Sequence, residues 1–241
     1  LSEETGVRPK PMVEIGGRPM LWHIMKVYSA SGINDFVIAC GYKSHMIKEY
    51  FANYTLHRSD VTLDVANHKM EIHKNTGENW KITLVDTGEN TMTAGRLRQV
   101  KDYVGDETFL LTYGDGLTDL DIQKTVEFHK KEGALVTLTA VQPPGRFGVF
   151  TLGENQTKLD AFNEKPKGDG AWINGGFFVV DPKVFDYELK DEVMWEEGPL
   201  KEFSQKGLLS AYKHDGFWQN MDTLRDKMKL EEMWNEGKAP W

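Results

Sequence analysis

The chain has 241 residues, of which 39% are hydrophobic and 27% charged, enough to bury a full core as one domain with an appendage. Its net charge is −8 with no block of Lys or Arg, which argues against nucleic-acid binding through a basic face and leaves anionic ligands to a few placed cations and backbone amides. A single cysteine, Cys40, excludes an internal disulfide and a cysteine zinc site, and without a long apolar span or a signal-peptide pattern the composition points to a soluble cytoplasmic protein.

In chain order, residues 1–18 are rich in Pro, Gly and charge and read as a loop ending at Gly16-Gly17. Pro19 opens a helix as a first-turn proline; Leu21, Ile24, Met25 and Tyr28 form its apolar face and Gly32 stops it. The Phe36–Cys40 run reads as a strand ending in a buried thiol. A second helix carries Met46, Ile47, Tyr50, Phe51 and Tyr54 on one side, and the rhythm of strand, helix and strand indicates a parallel sheet covered by helices. From Thr55 to Trp80 the pattern loosens into short alternating pieces, a small antiparallel insertion. Its His57, His68 and His73 match no familiar metal-ligand spacing and read as a solvated face.

Alternation resumes with a strand over 81–86 and a helix over 91–104. Phe109-Leu110-Leu111-Thr112-Tyr113-Gly114-Asp115-Gly116 then reads as a buried strand ending in a carboxylate held between two glycines. Thr118 and Asp121 carry capping-box spacing for the helix that follows. Asp115 therefore falls past the carboxyl end of a central strand, where open α/β sheets place ligands, and either binds a hard cation beside substrate phosphates or shapes the turn. Further strands are expected over 134–141, 146–151, 158–163, 171–180 and 208–213, with short helices after Pro182 and Pro199 and a final helix from about Thr223. Asn174-Gly175-Gly176 places glycines inside a strand, a mark of close approach by a ligand or backbone.

Several residues fit a site for a phosphorylated substrate. Lys10, stiffened between Pro9 and Pro11, offers a point charge to phosphate, the alternative being a solvated lysine. Thr91-Met92-Thr93-Ala94-Gly95-Arg96 opens a helix whose first amides favour an anion, and Arg96 in that first turn suggests one nearby; the alternative is an arginine paired with a surface carboxylate. Glu164-Lys165-Pro166 sets a hydroxyl acceptor beside a phosphate donor, or is a charged turn. Asp222 reads as a helix N-cap unless the fold brings it to Asp115.

The order of these pieces is more specific than any one of them. Lys-Pro-Met, Thr-Ala-Gly-Arg-Leu, Gly-Asp-Gly, Glu-Lys-Pro, Asn-Gly-Gly and Met-Asp-Thr follow one another as in the sugar-phosphate nucleotidylyltransferases, which the chain resembles from Leu1 to Trp241. The stretches 8–17, 143–148, 164–170 and 221–227 resemble the branch that transfers cytidylyl to glucose 1-phosphate.

That resemblance implies a single nucleotidylyltransferase domain over 1–241, α/β and Rossmann-like, with a mixed, mostly parallel sheet, a small β insertion at 55–80 and a C-terminal helix. It implies CTP and α-D-glucose 1-phosphate as partners, CDP-glucose and pyrophosphate as products, and service to dideoxysugar synthesis for the O-antigen of lipopolysaccharide. Lys10, Thr91, Gly95, Arg96 and Gly114 would meet the nucleotide. Asp115 and Asp222 would share one Mg²⁺. Lys165 would bind the sugar phosphate, with Gly148, Glu164, Asn174 and Gly175 lining the hexose pocket. The catalytic set would be Lys10, Arg96, Asp115, Lys165 and Asp222. A homo-oligomer, a hexamer, is implied, with the 55–80 insertion as the contact region. The alternatives are the same chemistry with UTP or dTTP, or a catalytically silent sugar-nucleotide-binding subunit. The family opens on a strand and a Gly-Gly-x-Gly-Thr-Arg loop around the nucleotide. Leu1 stands where that loop would end, and with no initiator methionine the expectation is a start imposed on a longer chain.

Overall fold

Alternating apolar side chains in adjoining strands need a core on each face. In the computed structural model, which describes residues 1–145, 148–152, 157 and 159–241, they pack into three clusters, two of which flank the central sheet. Phe109–Thr112 pairs antiparallel with Ile173–Val180, Phe178 opposite Leu111. Ile173–Val180 pairs antiparallel on its other side with Val136–Val141, which runs parallel to Leu209–His214. Three of the four strands of this sheet thus run the same way, and Ile173–Val180 alone is reversed. A second parallel ladder joins Asp35–Cys40 to Lys81–Asp86.

Both ladders reach the two clusters that flank the central sheet, and Cys40, Ile38, Ile82 and Leu84 of the second ladder pack into the third. Leu110, Phe177 and Phe36 turn to one cluster with Ile24, Tyr28 and Leu230; Leu111, Phe178 and Val37 turn to the other with Val136, Trp195 and Phe203. Each such side chain fully buried contributes about 1.5–3 kcal/mol before the entropy of ordering it is subtracted. Among the described residues, Phe109–Thr112 and Asp35–Cys40 each have one ladder partner. The architecture is mixed α/β and Rossmann-like. No helix among the described residues is long and apolar enough to cross a membrane.

Several boundaries differ from the sequence expectation for local reasons. Residues 1–18 are more than a loop. They form a short helix at Ser2–Thr5, a 3-10 turn at Lys10–Met12 and half of a tight hairpin in which Glu14–Ile15 pairs with Arg18–Pro19. Gly16 and Gly17 take φ of 58° and 70° to make its turn, and a Cβ on Gly16 would sit 1.9 Å from Trp234 Cδ1. Pro19 caps the helix Met20–Ser29 from outside instead of occupying its first turn.

The expected 91–104 helix breaks at Val100 into Thr93–Gln99 and Lys101–Val104. Thr118 lies in a short strand, Gly116–Thr118, and Asp121 caps the helix Ile122–Glu132 by accepting from the Lys124 amide. The insertion is the antiparallel hairpin Ser59–Asp64 with Lys69–Asn75. The strands expected over 146–151 and 158–163 are resolved as the hairpin Val149–Leu152 with Leu159–Asn163; Arg146, Phe147 and Lys158 lie outside the described residues.

Two buried histidines tie packing to pH. His23 has its ring between the Ile15 carbonyl, 2.8 Å from Nε2, and Trp241 Nε1, which donates to Nδ1 at 3.1 Å; His129 Nδ1 is 2.7 Å from Thr137 Oγ1. Burial holds both imidazoles below the usual 6.5. The unfolded chain therefore takes up protons that the folded chain resists, and stability is full above about pH 6.5 and falls as pH drops toward the folded values. Urea unfolding at about pH 7.5 and at about pH 5.5 should give the lower midpoint in acid, and equal midpoints would contradict the buried, neutral state of both rings.

Candidate active site

The corner after Phe109–Thr112 is built by close approach. A Cβ on Gly114 would sit 2.6 Å from Pro11 Cγ, so the bare glycine lets the proline-flanked turn carrying Lys10 lie against it. The chain then enters Gly116–Thr118, which pairs antiparallel with Trp218–Asn220, Gly116 opposite Asn220. One step further the Met221 amide donates to the Asp115 carbonyl at 2.8 Å. This miniature ladder brings Asp115 and Asp222 side by side. Asp222 is not the cap of the last helix. Thr223 is, in a capping box with Asp226, and this leaves the Asp222 carboxylate free to turn inward.

Lys10 joins the two acids. Its Nζ donates to Asp115 Oδ2 at 2.7 Å and also to Asp222 Oδ1, while Asn220 Nδ2 donates to Asp222 Oδ2. Burial pulls the Lys10 pKa down, but the hydrogen bonds and charges of the two carboxylates outweigh it and the ammonium is held above its usual value. Two hard oxygen donors from segments far apart in the chain thus converge on one positive charge, the donor set a divalent cation such as Mg²⁺ takes beside phosphates. Asp115 and Asp222 fit that role.

Beside Asp115 lies a cavity of about 240 Å³ lined by Tyr113, Asn174, Gly175, Trp218 and Asn220 among others. Its wall is made by an irregularity. The register of Ile173–Val180 against Val136–Val141 shifts between Asn174 and Phe178, across the two glycines. Asn174 Oδ1 accepts from the Gly176 amide at 2.9 Å, and Trp218 Nε1 donates to the Gly175 carbonyl at 2.8 Å. Sequence reasoning gave Trp218 and Asn220 no role. The signal was present in their spacing, since Trp218, Asn220 and Asp222 alternate as one face of an extended segment does.

The remaining sequence-predicted residues fall into two further groups. Arg96 is half-buried, with Nη1 donating to Thr87 Oγ1 at 2.6 Å and Nη2 to the Glu89 carbonyl at 3.1 Å, and burial holds its guanidinium below the usual value. Two amides of the Thr91-to-Ala94 turn are already engaged: Met92 donates to the Asp191 carbonyl and Ala94 to that of Val193. A Cβ on Gly95 would meet Asp191 Cα at 2.5 Å, so packing of the 191–195 segment accounts for its size. Thr91 is half-buried beside them. Gly148, Glu164 and Lys165 gather at the base of the 149–163 hairpin. A Cβ on Gly148 would lie 3.1 Å from Glu164 Oε2, and the exposed Lys165 Nζ pairs with Glu164 at 3.2 Å, making no ion pair with Asp115 or Asp222.

Comparison with known proteins places the chain in a family. The profile of the nucleotidyl transferase family matches residues 4–226. Glucose-1-phosphate cytidylyltransferase of Salmonella typhimurium is 60% identical over 242 aligned positions, covering 100% of this chain and 93% of the relative, and that of Salmonella typhi matches to the same extent. Among solved structures, HddC from Yersinia pseudotuberculosis superposes with a TM-score of 0.68 at 21% identity, over 94% of this chain and 90% of that one.

Proposed function

The chain belongs to the nucleotidyl transferase family, and we propose that it joins CTP to α-D-glucose 1-phosphate, releasing CDP-glucose and pyrophosphate. The observation that carries this reading is the convergence of Asp115, Asp222 and Lys10 beside the Asn174–Gly175 pocket. The full-length likeness to cytidylyltransferases selects the base and the sugar.

An oxygen of the sugar phosphate attacks the α-phosphorus of CTP in line, the new P–O bond forms, and the bond to pyrophosphate breaks on the opposite side. The attacking phosphate is already ionised, so the protein supplies no general base. Its task is to bring two anions together and hold them aligned. Lys10 faces the triphosphate and the departing pyrophosphate. Arg96, with Thr91, meets the nucleotide phosphates from the helix beside it. Lys165 takes the phosphate of the sugar while Glu164, Asn174 and Gly175 accept or orient hexose hydroxyls. Asp115 and Asp222 would hold a Mg²⁺ ion, which would supply neutralisation of phosphate charge.

The site substrates and the single buried thiol of Cys40 suit the cytoplasm, and the product would feed dideoxysugar synthesis for O-antigen.

Release of pyrophosphate from CTP, glucose 1-phosphate and Mg²⁺, with CDP-glucose as the second product, tests the reading. No pyrophosphate would overturn it, and faster turnover of UTP or dTTP than of CTP would reassign the base. Tight binding of CDP-glucose without turnover would leave a silent subunit.

We also propose a homo-oligomer, a hexamer, joined through the 55–80 insertion. The paired positions Leu63–Met70 and Val61–Ile72 lie on one face of its hairpin, and Leu63, Met70 and Ile72 are 57%, 54% and 45% exposed, a continuous apolar strip suited to a second copy of itself. Light scattering should give an oligomer for the wild type and a monomer for Leu63→Glu combined with Ile72→Lys. A wild-type monomer at micromolar concentration, or an oligomer indifferent to both changes, would contradict it.

A further inference from the structure

The short ladder that brings Asp115 to Asp222 is fastened at its far end by a cluster the proposed reaction does not use. His214 closes the strand Leu209–His214, and after a tight turn the chain returns as Trp218–Asn220. That turn wraps the Asp119 carboxylate. Asp119 Oδ1 accepts from the Phe217 amide at 2.7 Å and stands 2.9 Å from His214 Nε2. Thr118 Oγ1 donates to the Phe217 carbonyl at 2.8 Å, and the Asp119 amide reaches the same carbonyl at 3.3 Å. Both backbone groups of Phe217 are thus taken. His214 Nε2 also lies 3.2 Å from Thr118 Oγ1 and 3.2 Å from the Phe217 carbonyl. Carbonyl and carboxylate oxygens only accept, so Nε2 carries the hydrogen and donates among them. The wrap is close enough to require a glycine: a Cβ on Gly216 would run into Asp119 Oδ1 and lie 2.6 Å from His214 Cε1.

We propose that Asp119 is a positioning residue for the active site: by pinning Phe217 it sets the register of Trp218–Asn220 on Gly116–Thr118, and with it the meeting of Asp222 with Asp115. Its bearing on turnover rests on the transferase reading above, which it deepens by naming what aligns the two acids. Three residues a side is little to hold a pairing, since two strands on their own are marginal in water. Register matters at this ladder because a slip of one residue sends every side chain of a strand to the opposite face. Trp218 would leave the Gly175 carbonyl, Asn220 would leave the pocket wall, and Asp222 would turn from Asp115. Lys10 also ties the two acids, but from the end of a flexible stem, and it fixes no backbone register. The rigid frame comes from His214, which ends a strand paired residue for residue with Val136–Val141 of the central sheet. Asp119 fastens the ladder to that frame at the end opposite the one where the acids meet.

The test compares the full chain as wild type, Asp119→Ala, Asp119→Asn and Gly216→Ala. Amide hydrogen exchange over residues 215–223 reads the ladder without substrate or metal, with the Met221 amide on the Asp115 carbonyl as its marker. Mn²⁺ uptake in the presence of CTP reads the meeting of the acids. Asp119→Ala takes a charged acceptor from two donors, and should speed exchange of Met221 and weaken Mn²⁺ binding, each about tenfold. Gly216→Ala, which drives the carboxylate out of the turn, should act in the same direction and serves where Asp119→Ala does not fold. Asp119→Asn keeps an acceptor at Oδ1 and should stay within about twofold of wild type in both measurements. A residue that only stabilised the fold would lower the thermal midpoint and leave the Mn²⁺ affinity of the folded protein unchanged. Wild-type exchange and Mn²⁺ affinity in the folded Asp119→Ala or Gly216→Ala protein would overturn the role of Asp119 and leave the transferase reading intact. Losses in Asp119→Asn equal to those in Asp119→Ala would overturn it too, by assigning the effect to charge and not to register. Asp119-dependent exchange in a chain that neither takes up Mn²⁺ with CTP nor releases pyrophosphate would uphold the positioning of the ladder and overturn the transferase reading instead.

Discussion

Asp115→Asn lowers kcat for CDP-glucose formation about a hundredfold or more, and Asp222→Asn does the same, each corresponding to ~3 kcal/mol of barrier. The two side chains flank the short ladder of Gly116–Thr118 with Trp218–Asn220, Asp115 just before one strand and Asp222 two residues past the other, and both bond to Lys10. An amide keeps the shape and the hydrogen-bonding reach but removes the charge, so the loss reports electrostatics and not packing. With the two acids on one cation, as proposed, the double variant should be little worse than either single one. Full activity in Asp115→Asn would remove the metal assignment. Additive losses would show that the acids act separately.

Lys10→Met is the second large effect. Methionine keeps an unbranched stem of similar length against the Pro9–Met12 turn and deletes the ammonium. Two consequences follow. In the role proposed for it, Lys10 neutralises the triphosphate and the departing pyrophosphate, so kcat for pyrophosphate release should fall about a hundredfold, again ~3 kcal/mol. KM for CTP should rise as well, because the same charge acts on the bound nucleotide before reaction. Lys10→Arg should recover only part of the activity, since a planar fork does not reproduce a compact ammonium set between two carboxylates. Wild-type kinetics in Lys10→Met would place the lysine outside the reaction.

The layered α/β plan could be read from the sequence because it rests on local patterns. The apolar run 109–111, the β-branched run 136–141 and the helix-spaced Leu21, Ile24, Met25 and Tyr28 each carry their own period. The meeting of Asp115 with Asp222 could not be read that way. It depends on a three-residue strand pair too short to show a period, and Thr118 sits in that pair although its spacing to Asp121 imitates a helix start. Asp222 looked like a cap because a carboxylate before a helix usually is one, and the true cap, Thr223, lies one residue on. Arg96 was read as a first-turn cation but falls in the last turn of the short helix Thr93–Gln99, and its partners, Thr87 and the Glu89 carbonyl, come from the preceding loop. Trp218 reaches the pocket through a contact far along the chain, with the Gly175 carbonyl, which no local pattern encodes.

The most direct test of the shared-cation site is a Mn²⁺ titration in the presence of CTP, following free aqueous ion by electron paramagnetic resonance. The wild type should remove Mn²⁺ at a single tight protein-dependent site that both Asp115→Asn and Asp222→Asn abolish. A tight site that persists in either variant would contradict the placement of both carboxylates on one ion.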